Sequence, residues 1–406
     1  MKIGIVTSPI PHKSFGGATH LNDFCSYLIK MNYKVSLISF DFDYINIDKK
    51  KMVKSDFIKK GFATVDIIKP LKKKEKLNLK FVDFLYQYYL QYNFFKINSK
   101  KLENVVNKLD CDFFIIHADA IHFCLFNFKK KMIGWISHDG YPFFKISRLL
   151  LAKKTIYNYF INKFDKYFYL FIRKSIFKRF DILFTCPKFW VFSWKKKLKN
   201  KKILCVSHPA KNCNINIQRI EHSLNQNDDI NVLIVGSPNV GLTAANLLFI
   251  EKEILPIIKK RNLTKIKFKV AGLILKNSDL VKRLEGKVIF LNYVKDLKKV
   301  VSESDIVLLA NPFKPNSGSK VATICSMYGC ILAHESLVIG HNEMRDKFNC
   351  LTAKTGEDFV KKIVYLKTNL KIRYKLMINA RKTFERFYTY ERFTNKIIKN
   401  CLKKIS

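Results

Sequence analysis

Lys320 stands in the stretch Val307–Ala333, VLLANPFKPNSGSKVATICSMYGCILA, where its neighbours give its positive charge something to do. The stretch reads as a buried strand, a loop of Pro, Asn, Gly and Ser, a short helix, a glycine and a second apolar strand. A strand opening through small residues into a helix aims free backbone N–H groups and a positive dipole end at one point, which suits a phosphate. Ser317, Gly318 and Ser319 would bring backbone amides to that point, and Lys320 a full positive charge. Such a group stabilises the charge that develops on a departing diphosphate. The competing reading is one more solvated lysine in a lysine-rich chain.

Other candidates sit at strand ends. Gly236 and Ser237 follow an apolar run and would face the lysine loop from a neighbouring loop. Gly16 and Gly17 close a loop between the first strand and a helix. They offer either close backbone approach to a phosphorylated ligand or a flexible turn. The pair is not a GxGxxG fingerprint, which counts against a dinucleotide oxidoreductase. His138 and Asp139 lie where the strand Met132–Ile136 ends in a glycine-bearing turn. Ligands in open α/β sheets bind beyond the carboxyl ends of strands. The alternative there is a capping Asp and a satisfied loop His. His117, at the previous strand's end, is a weaker candidate, and His20 and His122 weaker again.

These positions need a scaffold of alternating strands and helices. Lys2–Thr7 reads as a buried strand, Pro9–Gly17 as a loop, His20–Met31 as a helix and Tyr33–Phe40 as a strand. This β–loop–α–β order begins a doubly wound parallel sheet. Phe113–His117, Met132–Ile136, Asp181–Phe184 and Lys202–Val206 continue it, and His208-Pro209 marks a turn. Asn212–Asp229 is polar and Asn-rich, a hinge or irregular segment. A second series follows: Val232–Val235, Lys267–Ala271, Val288–Leu291, Ile306–Leu309, Ile331–Ala333 and Cys350–Ala353. Asn246–Lys260, Asp296–Ser302 and the basic Ile372–Ser406 read as helical.

The 406 residues exceed one ordinary core, and 48% hydrophobic content excludes a disordered chain. Seventy-five Lys and Arg face 32 Asp and Glu, a formal charge of +43 that favours anionic partners. Ten cysteines form no CxxC pair and no cluster with zinc spacing, and free thiols indicate a reducing compartment. Met1–Ile10 reads as a strand and not a signal peptide, and no apolar run reaches membrane-spanning length. Phe81–Phe95 and Ile156–Trp194 mix aromatics with lysines. They read either as core helices with solvated edges or as contacts with an anionic membrane surface, the second being preferred. Single-stranded nucleic acid would also accept lysine plus aromatics, but no RNA- or DNA-binding motif accompanies them.

Three passages carry a resemblance in order: VLIVGSPNVGLTAANLLFIEKEILPII, VIFLNYVKDLKKVVSESDIVLLANP and SGSKVATICSMYGCILA. With the opening to Phe40 and HDGYP at His138–Pro142, they resemble the retaining, family-4-like glycosyltransferases, across roughly two-thirds of the chain. The resemblance is weak in Asp41–Leu109 and Phe143–Arg179. It implies the GT-B fold: α/β, two Rossmann-like doubly wound parallel-sheet domains facing a cleft. The acceptor-side domain would be 1–209, with a C-terminal helix at about 385–406 packing back on it, and the donor domain 210–384. It also implies a nucleotide-diphosphate sugar as donor substrate, no cofactor and no essential metal. Lys320 would hold the diphosphate and His138 would position the reacting sugar. Glu343, in GHNEM, would lie where family members read donor hydroxyls. Two departures stand out. The family's ribose-binding glutamate falls at Cys325, and SPNVGLT lacks the usual basic residue.

The expected activity is retaining transfer of a sugar to a glycan or lipid-linked glycan in surface polysaccharide or glycoconjugate synthesis. The site would be cytoplasmic, or peripheral on the cytoplasmic face of the membrane. The alternatives are a catalytically degenerate binding or scaffold protein and a basic membrane- or nucleic-acid-binding α/β protein. Donor sugar, base, acceptor and oligomeric state are not written in the sequence.

Overall fold

The computed structural model describes residues 1–7, 16–40, 54–68, 96–117, 120, 124–125, 128–136, 171, 173–186, 188–213, 229–238, 241–274, 279–312 and 319–405. Two all-parallel sheets organise them. The first holds β1 (Lys2–Thr7), β2 (Lys34–Phe40), β3 (Thr64–Ile68), β4 (Phe113–His117), β5 (Met132–Ile136), β6 (Ile182–Thr185) and β7 (Lys202–Cys205). Their order is β3-β2-β1-β4-β5-β6-β7. The second holds β8 (Ile230–Val235), β9 (Ile266–Ala271), β10 (Ile289–Asn292), β11 (Ile306–Leu309), β12 (Ile331–His334) and β13 (Leu351–Ala353), in the order β10-β9-β8-β11-β12-β13. Both sheets reverse direction of growth beside their first strand, between β1 and β4 and between β8 and β11. Such a switch opens a crevice at the carboxyl ends of the strands.

The expected strands form, with ends displaced by a residue or two. A further strand, β3, had no counterpart in the sequence reading. Its TVDII is an edge strand of mixed burial with Asp66 at its centre, so it lacks the continuous apolar run that marks strands covered on both faces. Gly16 and Gly17 were expected to end a loop. They are instead the first two residues of α1 (Gly16–Lys30), in the turn whose amides have no intrahelical partner.

The helix expected from Asn246 starts earlier, as α2 (Gly241–Phe249). It then widens into a π turn at Ile250–Ile254 before resuming at Leu255–Lys260. Pro256 follows that turn. Its missing N–H and its ring cannot be fitted under a regular preceding turn, and Leu255 N donates to Ile250 O instead. Ser319–Ser326 forms α3. The basic tract expected from Ile372 is not one helix: it falls into α5 (Leu370–Phe387) and α6 (Tyr390–Ile405), broken at Tyr388–Thr389, and α4 (Gly356–Thr368) precedes it across Asn369.

Each sheet is covered on both faces. α5 lies over the second sheet with α3, where Ala380, Phe384 and Tyr388 pack with Ile324, Cys325 and Val235. α6 belongs to the other core: Phe393, Ile397 and Ile398 pack with Leu21, Phe24 and Trp135 of the first sheet's layer. Phe24, Trp135 and Phe393 form an aromatic triangle with ring centroids 4.7–5.3 Å apart. On the second sheet, buried Asp305 pairs with buried Arg373 and with Lys367 at 3.5 Å, and accepts a hydrogen bond from Asn231 N.

The chain crosses between the two sheets at adjacent places. Ala210 N donates to Tyr388 O at 2.8 Å, and Ala210 bridges Thr389. Arg381 fixes the outgoing strand by donating to Cys213 O at 3.1 Å and Asn212 Oδ1 at 2.6 Å. It also donates to Ser326 O, at the end of α3, at 2.7 Å. His20 and His208 rings lie 6.2 Å apart across the seam. Burial lowers the His20 pKa, against the opposing pull of Asp23.

Candidate functional site

The ends of β8, β9 and β10 are tied into one backbone shelf. Gly236 N donates to Ala271 O at 2.7 Å, and Gly272 N to Asn292 O at 2.9 Å. Asn292, in a left-handed conformation (φ 57°), also accepts from Ile274 N through its side chain at 3.1 Å. A Cβ on Gly272 would stand 2.2 Å from the carbonyl carbon of Gly236 and 2.5 Å from Ser237 N, so the two loops stack backbone on backbone.

Lys320 lies on this shelf. Its ammonium donates to Thr243 Oγ1 at 2.7 Å, in the first turn of α2. Gly236 adopts φ +123°, a conformation open to glycine, and a Cβ there would lie 2.2 Å from Lys320 Nζ and 2.6 Å from Thr243 Oγ1. The lysine is half-buried, with its charged end enclosed, and burial alone lowers its pKa to about 8. Among the described residues no carboxylate pairs with it. A lysine at the start of a helix, held over a glycine by a neutral hydroxyl, presents an unneutralised cation beside the ends of β8 and β11. That arrangement has the charge and the open backbone that suit an anion.

The structure therefore brings Lys320, Gly236 and Ser237 together and adds Thr243, which the sequence reading passed over. Its signal was its place two residues into the helix after the Gly236 turn. Ser319 is the first residue of α3. Ser317, Gly318, His138 and Asp139 lie outside the described residues, as does His122. Glu343 joins a different partner set: it accepts from Ser207 Oγ across the seam, and its carbonyl accepts from Asn349 Nδ2 at 2.8 Å. His117 is buried with its ring 4.5 Å from Trp135.

Cys325 does not face this shelf. It is fully buried among Phe384 and Tyr388, and burial pushes its thiol pKa up. On α3 the partly exposed positions are Lys320 and Thr323, three residues apart on one face.

Of the two aromatic and lysine runs, Phe81–Phe95 lies outside the described residues. In the second, Ile176, Phe177, Phe180, Val191 and Trp194 are core, with Phe177 and Trp194 edge to face at 4.6 Å. Phe171 and Phe192 of the same run are exposed, so its described aromatics divide between the core reading and an outward face that the membrane reading would use. Its lysines are displayed separately. Lys174, Lys178, Lys196, Lys199 and Lys201 line a concavity of about 880 Å³ at the amino ends of β6 and β7. None of the five pairs with a carboxylate among the described residues. No group of three or more His, Cys, Asp or Glu able to hold a metal occurs among the described residues. No helix there is long and apolar enough to cross a membrane.

No family model and no curated protein matches this sequence. Solved structures do match in shape. A glycosyltransferase from Rickettsia africae superposes with a TM-score of 0.63 at 14% identity, over 100% of this chain and 98% of the other. TarM of S. aureus, in complex with fondaparinux, α-GlcNAc-glycerol and UDP, gives 0.65 at 12% identity, over 98% and 99%. HepE of Anabaena, in complex with UDP and glucose, gives 0.61 at 12% identity, over 98% and 99%. The chain shares their architecture: two parallel-sheet α/β domains of the GT-B glycosyltransferase type.

Proposed function

We propose that the protein is a glycosyltransferase that takes a sugar from a nucleotide-diphosphate donor, with residues 210–384 as donor side and 1–209 as acceptor side. The observation that carries this reading is the Lys320 ammonium held over Gly236 without a carboxylate partner. Neighbours of the same architecture bind UDP, which makes a uridine diphosphate sugar the first donor to test.

In this reading Lys320, the amides at the start of α3 and those of Gly236 and Ser237 take the charge of the departing diphosphate. Transfer proceeds with retention. The acceptor hydroxyl attacks the anomeric carbon on the face the phosphate leaves, forming the new C–O bond as the sugar–phosphate bond breaks. The hydroxyl proton passes to the departing phosphate oxygen. His138, with Asp139, positions the reacting sugar; Gly16 and Gly17 bring the first turn of α1 to the donor; Glu343 reads donor hydroxyls. No metal takes part. The acceptor is a glycan or lipid-linked glycan of surface polysaccharide or glycoconjugate synthesis. The enzyme works in the cytoplasm or against the cytoplasmic face of the membrane, whose anionic headgroups the lysine concavity would meet.

The test is thermal unfolding of wild type and Lys320→Ala with UDP-, GDP-, ADP- and CMP-sugars. A ligand that binds only the folded state raises Tm. A rise with one nucleotide class, absent from the variant together with turnover, is the expected result. Wild-type turnover in Lys320→Ala would remove the lysine from the mechanism. A second reading, a non-catalytic binding protein, is favoured by the apolar burial of Cys325 where a ribose-binding glutamate was expected. Detectable donor transfer or hydrolysis would reject it.

A further inference from the structure

Three groups could occupy position 243 within the same space. A valine would pack as well but leave the ammonium with no acceptor there. An aspartate would pair with the ammonium and neutralise it. A threonine does neither. Its side chain is wholly buried, and a buried hydroxyl costs stability unless it is hydrogen-bonded. The described bond that satisfies Oγ1 is the one from Lys320, at 2.7 Å. Gly236 gives the ammonium the space it occupies there, since a Cβ would lie 2.2 Å from Lys320 Nζ.

We propose that Thr243 is the positioning residue of the anion site, its buried hydroxyl fixing the Lys320 ammonium over Gly236 as a cation free to meet a diphosphate. The ligand part of this proposal rests on the donor-site reading above; the positioning of the lysine does not. An acceptor oxygen stabilises the charged form of an amine, so its loss makes the proton easier to remove. Thr243 thereby sets the pH range in which the site holds its charge, as well as the place of that charge.

The experiment compares wild type, Thr243→Val and Thr243→Ser. Competitive amine acylation with mass spectrometry, across a pH series on ligand-free protein, reads the protonation of Lys320. Calorimetry reads UDP binding. In Thr243→Val the reactivity of Lys320 at neutral pH rises about fivefold, the effect of losing one hydrogen bond to a charged group. UDP affinity falls by a similar factor at about pH 8, and the deficit shrinks at about pH 6, where the amine is mostly charged in every variant. Thr243→Ser behaves as wild type, a rescue that a packing role would not produce. Thr243→Ala supplies the same comparison if the valine variant does not fold. Unchanged Lys320 reactivity on loss of the hydroxyl, or a serine variant as altered as the valine one, overturns the proposal. UDP failing to bind wild type would remove the donor reading instead, and the acylation series would still decide the role of Thr243.

Discussion

Gly236→Ala sets a methyl group against the one charge on the shelf. The new Cβ would lie 2.2 Å from Lys320 Nζ and 2.6 Å from Thr243 Oγ1, where ordinary contacts are near about 3.5 Å. The ammonium must therefore retreat by roughly 1 Å and give up its bond to Thr243. Two costs add: about 1–3 kcal/mol for a non-glycine residue at φ +123°, and about 1.5 kcal/mol or more for the lost charged hydrogen bond. Calorimetric unfolding is the assay, because Trp135 and Trp194 pack in the cores of the first sheet and report on it rather than on the shelf. A destabilisation of about 3 kcal/mol is expected, with loss of UDP binding. The cycle with Lys320→Ala isolates the cause. Removing the lysine removes the nearest obstacle, so Gly236→Ala should cost about 1–2 kcal/mol less in that background. Equal costs in both backgrounds would refute the clash between residues 236 and 320.

Lys320 also makes activity and stability run in opposite directions with pH. Ligand-free Lys320 releases its proton near about 8, so kcat/KM for donor use should fall as pH rises through that value. The unfolded lysine holds its proton up to 10.5, so between the two values the unfolded state binds more protons. This group's contribution to stability therefore rises with pH over that window, a trend that Lys320→Met should abolish in a pH series of unfolding. Arg373→Leu should cost about 3 kcal/mol by leaving Asp305 with Lys367 as its remaining cationic partner, seen as a fall of roughly 10 °C in the second sheet's calorimetric transition. Phe393→Ala opens a cavity beside Phe24 and Trp135. It should destabilise the first sheet by about 3–4 kcal/mol, read by tryptophan fluorescence.

The strands of both sheets were legible because parallel strands covered on both faces are nearly unbroken apolar runs, as in KIGIVT and VLIV. The edge strand TVDII carries half that signal, with Asp66 in its middle, and went unread. The break in the C-terminal tract was also hidden. The residues at the break, Tyr388 and Thr389, resemble their helical surroundings in composition, and the seam that bends the chain there depends on Ala210, far away in sequence. Lys320 was legible from its loop, and Gly236 from its place after a strand. Thr243 was not, because nothing in a linear reading tells a packed threonine from one whose hydroxyl meets a lysine 77 positions on. Cys325 was assigned a site position from sequence order, although helix rotation turns it towards α5.

α6 gives the first sheet a folding order opposite to the order of synthesis. The layer that holds Leu21, Phe24 and Trp135 is completed by Phe393, Ile397 and Ile398, so its apolar face stays open until those residues have left the ribosome. Domains ordinarily fold from the amino end during synthesis. Here the second sheet, with its strands between residues 230 and 353 and its covering helix α5 ended by Phe387, is complete while the first still waits for its last helix. Chains released at Thr389, with α5 present and α6 absent, should hold a folded second sheet beside a first that is still exposed to chaperones and proteases.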